Sequence, residues 1–197
     1  MKLKWLPNAL CVLRLLLSIP IAFLLLQGEF LISLLLFVTA SATDAADGFL
    51  AKRFGWQTEL GKILDPLADK ILVFSVYMTL SVLSIVPFWL SILVVLRDVI
   101  IIAGAACYRF LYGPIMGAAP TIYSKLNTLI QVTYVAGLIA VRAVHSMGEG
   151  WPSKLFTAWG LWLVVATTII SGSNYVWIYI RRALIAHSAK SRLDAIG

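Results

Sequence analysis

Apolar residues in this chain come in long runs separated by short polar stretches, and the runs lie near the roughly 20 residues a helix needs to cross a bilayer. Six spans are predicted. Residues 10–26 are apolar but for Arg14 and form the first; Lys2, Lys4 and Trp5 precede it, and no small-residue cleavage site follows, so it reads as a membrane helix rather than a signal peptide. Gln27, Gly28 and Glu29 turn the chain. Residues 30–42 are apolar for only 13 positions, so the second helix must continue to about Arg53 to cross, taking Asp44 and Asp47 with it. Residues 71–86 are also short of a span, so the third helix begins near Gly61 and includes Asp65, Asp69 and Lys70. Pro66 removes a backbone donor there and marks a place for a kink.

Residues 54–60 join these two helices, with Gly55 as turn residue. The fourth span, 87–110, carries Arg97 and Asp98 in mid-run. Adjacent helical residues do not face each other, so these two need not pair; they either answer charges on neighbouring helices or bind substrate. Gly113, Pro114, Gly117 and Pro120 make 112–120 a loop. In the fifth span, 122–144, Lys125, Asn127 and Gln131 serve either as a snorkelling anchor with interhelical bonds or as a headgroup pocket. Residues 145–154 form a second loop, in which His145 has no ligand partner in sight. The sixth span, 155–180, holds Ser171-Gly172-Ser173-Asn174, a small polar patch suited to close helix packing, and Arg181, Arg182, Lys190 and Arg192 follow in a basic tail.

Composition agrees with the pattern. Of 197 residues 61% are hydrophobic and 13% charged, far from the soluble average, so the expected fold is an all-α integral membrane protein forming a single domain over 1–197. The net charge of +7 does not point to nucleic acid, because the basic residues sit between apolar runs rather than in a stripe with interleaved aromatics. They read as topology signals and lipid headgroup contacts. Of the 16 Lys and Arg residues, Arg97 is mid-span and only Arg142 and Lys154 fall opposite the terminal side; the positive-inside rule therefore expects both termini in the cytoplasm. Cys11 and Cys107 lie in apolar surroundings with no CxxC or His partner, and read as buried small hydrophobes.

Four of the chain's six aspartates fall between positions 44 and 69. On helices, Asp44 and Asp47 at a spacing of three share a face, as do Asp65 and Asp69 at a spacing of four. Two facing helices would gather four carboxylates, and in an apolar chain these repel and lose hydration unless cations neutralise them. Hard divalent ions with oxygen ligands, Mg²⁺ or Mn²⁺, suit the donors. From Arg53, Asp47 lies roughly 9 Å and Asp44 roughly 13 Å inward, below the headgroups on the cytoplasmic side. Intramembrane acids of this kind mark a functional site. Gly48, Ala51 and Gly61 leave bare backbone beside them, room for a bulky phosphorylated ligand. A cluster of this kind suits a lipid diphosphate: two cations held by the four aspartates would neutralise the leaving group and leave one carboxylate near an attacking hydroxyl. The reaction class is phosphoryl-type transfer. A divalent-cation transporter is the alternative class, but it calls for acids on several helices and an inverted repeat, and neither is evident.

Asp44, Asp47, Gly48, Ala51, Gly61, Asp65 and Asp69 match at every spacing the signature of the CDP-alcohol phosphotransferase family, and the chain is identified as resembling it over nearly its whole length. Lys52 stands where the family usually has Arg, keeping the charge without the bidentate fork, with Arg53 beside it as a second cation. The segment 7–14, with Asn8, also resembles the family's amino-terminal motif, Cys11 standing where Thr is common. The resemblance implies six-helix membrane enzymes that displace CMP from a CDP-activated lipid. It further implies that Asp44, Asp47, Asp65 and Asp69 bind two Mg²⁺ or Mn²⁺ ions, that Asp69 doubles as general base, and that Asn8, Gly48, Ala51, Lys52 and Gly61 line the CDP-lipid side. A homodimer is implied as well.

Within the family, the runs 64–72, 97–99 and 120–128 are similar to the CMP-forming cardiolipin synthases, which join phosphatidylglycerol to CDP-diacylglycerol. The phosphatidylglycerophosphate synthases, with glycerol 3-phosphate as acceptor, share the first run but tend to carry Arg-Glu at 97–98 and a further Arg soon after. Here 100–106 are uncharged, and an acceptor pocket poor in cations suits phosphatidylglycerol. Its phosphodiester still calls for Arg97 or Lys125, with Asn127 beside them. This branch implies a bacterial or mitochondrial inner membrane, with the active site facing the cytoplasm.

Overall fold

The computed structural model describes the backbone of residues 6–54, 59–112, 121–145 and 153–194, and within these the side chains of 11–43, 68–111, 121–144, 156–182 and 184. All six regular elements there are helices: α1 (Leu6–Leu26), α2 (Phe30–Phe54), α3 (Glu59–Val82), α4 (Phe88–Tyr112), α5 (Ile122–His145) and α6 (Ser153–Asp194). Phe88–Leu111, Ile122–Val144 and Phe156–Arg182 are long and apolar enough to cross a membrane, with shorter apolar helices at Cys11–Leu26 and Phe30–Thr43. Helices α2 and α3 continue through the aspartates as their short apolar runs require. α1 and α3 remain helical through Pro20 and Pro66. α6 differs from expectation: it runs past Ile180 to Asp194. Its extension contains no Gly or Pro, so nothing local stops it once it leaves the apolar span.

The turns explain where helices end. After α1, Gly28 has φ 81°, Glu29 N–H donates to Leu24 O at 3.0 Å and Gly28 N–H to Leu25 O at 3.1 Å. This is the Schellman arrangement, with glycine in the left-handed position where a side chain is penalised. After α3 the same pair of bonds recurs, Ile85 N–H to Leu80 O at 2.9 Å and Ser84 N–H to Ser81 O at 3.0 Å. Here the left-handed residue is Ser84, with φ 56°.

The chain divides into two compact units, one of 1–91 with 132–157 and one of 92–131 with 158–197, the division falling inside α4, α5 and the start of α6. In the first unit α1 packs on both α2 and α3. Its buried stripe is Cys11, Arg14, Ser18, Ile21 and Leu25, alternating steps of three and four along one face. Phe37, Leu72, Val76, Tyr77 and Leu80 complete that core, while Leu16, Ile19 and Phe23 point outward as a membrane helix allows. The Ser81 and Ser91 hydroxyls are 2.6 Å apart, and Ser91 Oγ also donates to Tyr77 O at 3.1 Å. That leaves no hydroxyl of this pair unsatisfied in an apolar surrounding.

In the second unit α4 and α6 run parallel and α5 antiparallel to both. Tyr179 Oη donates to Ile101 O at 3.3 Å, and its ring lies over Gly104, where a Cβ would stand 2.7 Å from Tyr179 Cδ2. Only glycine admits that approach. Thr121 caps α5, accepting the Ser124 N–H at its Oγ1 at 3.3 Å, and its own N–H donates to Tyr175 Oη at 3.3 Å. Trp159 and Trp177 are both exposed on α6, roughly 27 Å apart along the helix axis. They bracket a bilayer's hydrocarbon thickness in the manner of interfacial aromatics. Cys107 departs from expectation: Cys11 is buried, but Cys107 is exposed on α4. On an apolar span an exposed position faces lipid, which accepts a thiol as readily as a core does.

Candidate functional site

The four aspartates occupy the helical registers that their spacing requires. Asp44 and Asp47 lie on α2, Asp65 and Asp69 on α3, three and four residues apart, so each pair shares a helix face. The same helices carry Gly48, Ala51 and Lys52 on α2 and Gly61 on α3, and Asn8 lies on α1. The side chains of Asn8, Asp44, Asp47, Gly48, Ala51, Lys52, Gly61 and Asp65 lie outside the described residues; Asp69 and Lys70 are half-buried. Among the described residues no His, Cys, Asp or Glu cluster holds three metal donors. The donor set itself, carboxylate oxygens alone at helical spacing on two helices, fits hard divalent cations.

The second unit contains a described polar constellation. Arg97 is 5% exposed, and its Nη1 donates to Asp98 Oδ1 at 2.6 Å. The two residues therefore do pair, against the rule for helical neighbours: the three-methylene stem lets the guanidinium turn back to its neighbour's carboxylate. Arg97 Nη2 donates to Ser124 Oγ on α5 at 2.7 Å and to Ser171 Oγ on α6. A built Cβ at Gly172 would meet the Arg97 stem at 3.7 Å, so α6 runs close beneath it. One ion pair and two hydroxyls thus fix the guanidinium among three helices, which is how a membrane protein accommodates a buried charge.

Three residues along α5, Asn127 is fully buried, and its Oδ1 accepts the Thr168 hydroxyl at 3.1 Å. Gln131 Nε2 donates to Thr168 Oγ1 at 3.2 Å. Asn127 Nδ2 and Arg97 Nε have no hydrogen-bond partner among the described residues. Lys125, between Ser124 and Leu126, is exposed. Of the three acceptor candidates, Arg97 and Asn127 are thus interhelical bonding residues, and Lys125 is the outward-facing cation. Ser124 and Ser171 were not singled out from sequence as partners of Arg97, nor Thr168 as the partner of Asn127 and Gln131. The signal available was the run of hydroxyls in the apolar α6, read there only as a packing patch.

The CDP-alcohol phosphatidyltransferase family model matches residues 4–170, most of the chain. The chain belongs to that family. Among curated relatives, it is 34% identical over 149 residues to the human cardiolipin synthase (CMP-forming), covering 68% of this chain and 50% of the relative. It is 32% identical over 158 residues to the CDP-diacylglycerol–glycerol-3-phosphate 3-phosphatidyltransferase of Bacillus subtilis, covering 80% of this chain and 75% of the relative. To a probable phosphatidylglycerophosphate synthase of Mycobacterium tuberculosis it is 30% identical over 150 residues, covering 72% and 62%. The chain spans about half the length of the human relative and of its rat and fruit-fly counterparts. As a CDP-alcohol phosphatidyltransferase family member it is a membrane protein of phospholipid biosynthesis, in keeping with its apolar helices. A transporter finds no support among these matches.

Proposed function

We propose that the protein transfers the phosphatidyl group of CDP-diacylglycerol to a hydroxyl of phosphatidylglycerol, giving cardiolipin and CMP. Membership of the family supports the donor half of the reaction. For the acceptor, the observation that carries the reading is the Arg97–Asp98 pair. With its charge balanced by Asp98 and both Nη atoms engaged, Arg97 has little to offer the dianionic phosphate of glycerol 3-phosphate. A phosphatidylglycerol headgroup has one phosphodiester charge, which the exposed Lys125 would meet.

In this reading Asp44, Asp47, Asp65 and Asp69 hold two divalent cations, Mg²⁺ or Mn²⁺. Bound there, such cations supply neutralisation of the diphosphate charge as CMP departs. Asp69 accepts the proton of the attacking hydroxyl. The hydroxyl oxygen bonds to the phosphatidyl phosphorus, and the bond from that phosphorus to the bridging oxygen breaks. Gly48, Ala51 and Gly61 leave space for the nucleotide, Asn8 lies alongside, and Lys52 contacts the diphosphate as a point charge. Both termini and the aspartates face the cytoplasm by the distribution of basic residues, in a bacterial or mitochondrial inner membrane, and the protein works as a homodimer.

The second reading is a phosphatidylglycerophosphate synthase. It is favoured by the B. subtilis relative, whose match covers more of both chains than the human one does. The deciding experiment measures CMP and lipid product from the purified protein given CDP-diacylglycerol with phosphatidylglycerol or glycerol 3-phosphate separately. Cardiolipin from phosphatidylglycerol alone is the expected result; phosphatidylglycerophosphate from glycerol 3-phosphate overturns the acceptor assignment and leaves the aspartate chemistry in place.

A further inference from the structure

The second unit has an open groove of about 410 Å³ between α4 and α6. Leu93, Leu96 and Ile100 form one wall and Ile169, Ser173 and Trp177 the other. Leu96, Ile169 and Trp177 are each about half exposed or more. Both walls belong to segments apolar and long enough to span a membrane, so what surrounds the groove is hydrocarbon, not water. An acyl chain is a flexible run of methylenes that conforms to an open apolar trough.

The two ends of the groove differ chemically. At the end toward the C-termini of α4 and α6 stands Trp177, a residue type that settles at the headgroup level. One helical turn beyond it, Arg181 is exposed. Among the described side chains of this unit the only carboxylate is Asp98, and Arg97 already holds it. The groove thus joins an apolar trough to a mouth of positive charge at the edge of the span.

We propose that this groove seats one acyl chain of an anionic phospholipid, with the lipid phosphate held at the mouth by Arg181. Arg97 and Thr168 also line the trough, with the Arg97 Nη atoms and the Thr168 hydroxyl already bonded within the protein, and Arg181 reaches the phosphate by snorkelling along its own stem. The proposal stands whichever acceptor alcohol the protein uses.

The test is native mass spectrometry of the full chain in a neutral detergent, offered phosphatidylglycerol and phosphatidylcholine of identical acyl composition. The wild type is expected to retain phosphatidylglycerol in preference. Arg181→Gln removes one bound phosphatidylglycerol per chain from that preference, phosphatidylcholine retention being unchanged. Ser173→Phe, which fills the trough, lowers retention of both lipids about tenfold, the loss of roughly one decade of affinity. Leu96→Trp fills the trough from the other wall and gives the same loss if Ser173→Phe fails to fold. In parallel, phosphatidylglycerol with brominated chains quenches wild-type tryptophan fluorescence, and Trp177→Phe removes that increment. Unchanged retention in a filled variant, equal retention of the two lipids by the wild type, or a dimer peak that disappears on filling with no lipid involved each overturns the proposal. Failure of the acceptor assignment would appear in the product analysis above and leave lipid retention untouched.

Discussion

Asp98 neutralises Arg97 across a single peptide link, 2.6 Å from Nη1 to Oδ1, while the same guanidinium reaches hydroxyls on two other helices. Removing the carboxylate leaves a buried cation with neutral partners only. Asp98→Asn should destabilise the protein by about 1–3 kcal/mol, and Arg97→Met combined with Asp98→Asn should cost less than the sum of the single changes. Unfolding of the four proteins in detergent, analysed as a double-mutant cycle, checks this; additive effects would refute the coupling.

Ser84 holds the left-handed position that Gly28 holds in the equivalent turn after α1. A side chain there is penalised by roughly 1–2 kcal/mol, partly offset because glycine is more costly to order. Ser84→Gly is therefore expected to raise stability by about 0.5–1 kcal/mol. A lowered unfolding midpoint would mean that the serine side chain contributes more than its backbone strain takes away.

Gly104 lies under the Tyr179 ring with no room for a methyl group. Gly104→Ala should cost about 1–3 kcal/mol by overpacking, despite alanine's better helix propensity. The penalty should shrink in a Tyr179→Leu background, where the ring is absent. Equal penalties in both backgrounds would place the effect elsewhere.

Asp69→Asn keeps the shape of the side chain but cannot take a proton. CMP release is expected to fall by about 10²–10⁴-fold, with CDP-diacylglycerol binding largely intact. Chelation of divalent cations should abolish CMP release in the wild type, and Mg²⁺ or Mn²⁺ should restore it. Normal turnover in Asp69→Asn would remove the base role, and turnover in chelator would remove the metal role.

The length of α2 and α3 was legible because a 13-residue apolar run cannot cross a bilayer, which forces Asp44 and Asp47 into a helix that indeed extends from Phe30 to Phe54. Chemistry encoded by spacing along one helix was therefore readable. The Arg97 frame was not, because Ser124 and Ser171 are 27 and 74 residues from the arginine, and local pattern gives no distance between helices. Lys125 and Asn127 differ by two positions but sit on differently exposed faces, which only the packing of α5 decides. Ser84 carried no glycine to announce its turn. The division into two units was equally hidden, because it cuts α4, α5 and α6 where none of these helices breaks its pattern.

Helix α6 carries Thr168 and Ser171 in its apolar part and continues through Arg182 to Asp194 without interruption. The segment past Arg182 is about 18 Å long and shares one hydrogen-bond ladder with Ser171, whose hydroxyl accepts from Arg97. It is in effect a handle on the arginine: a rotation or axial pull applied near Lys190 would be delivered to Ser171 as a rigid-body motion rather than absorbed by a hinge.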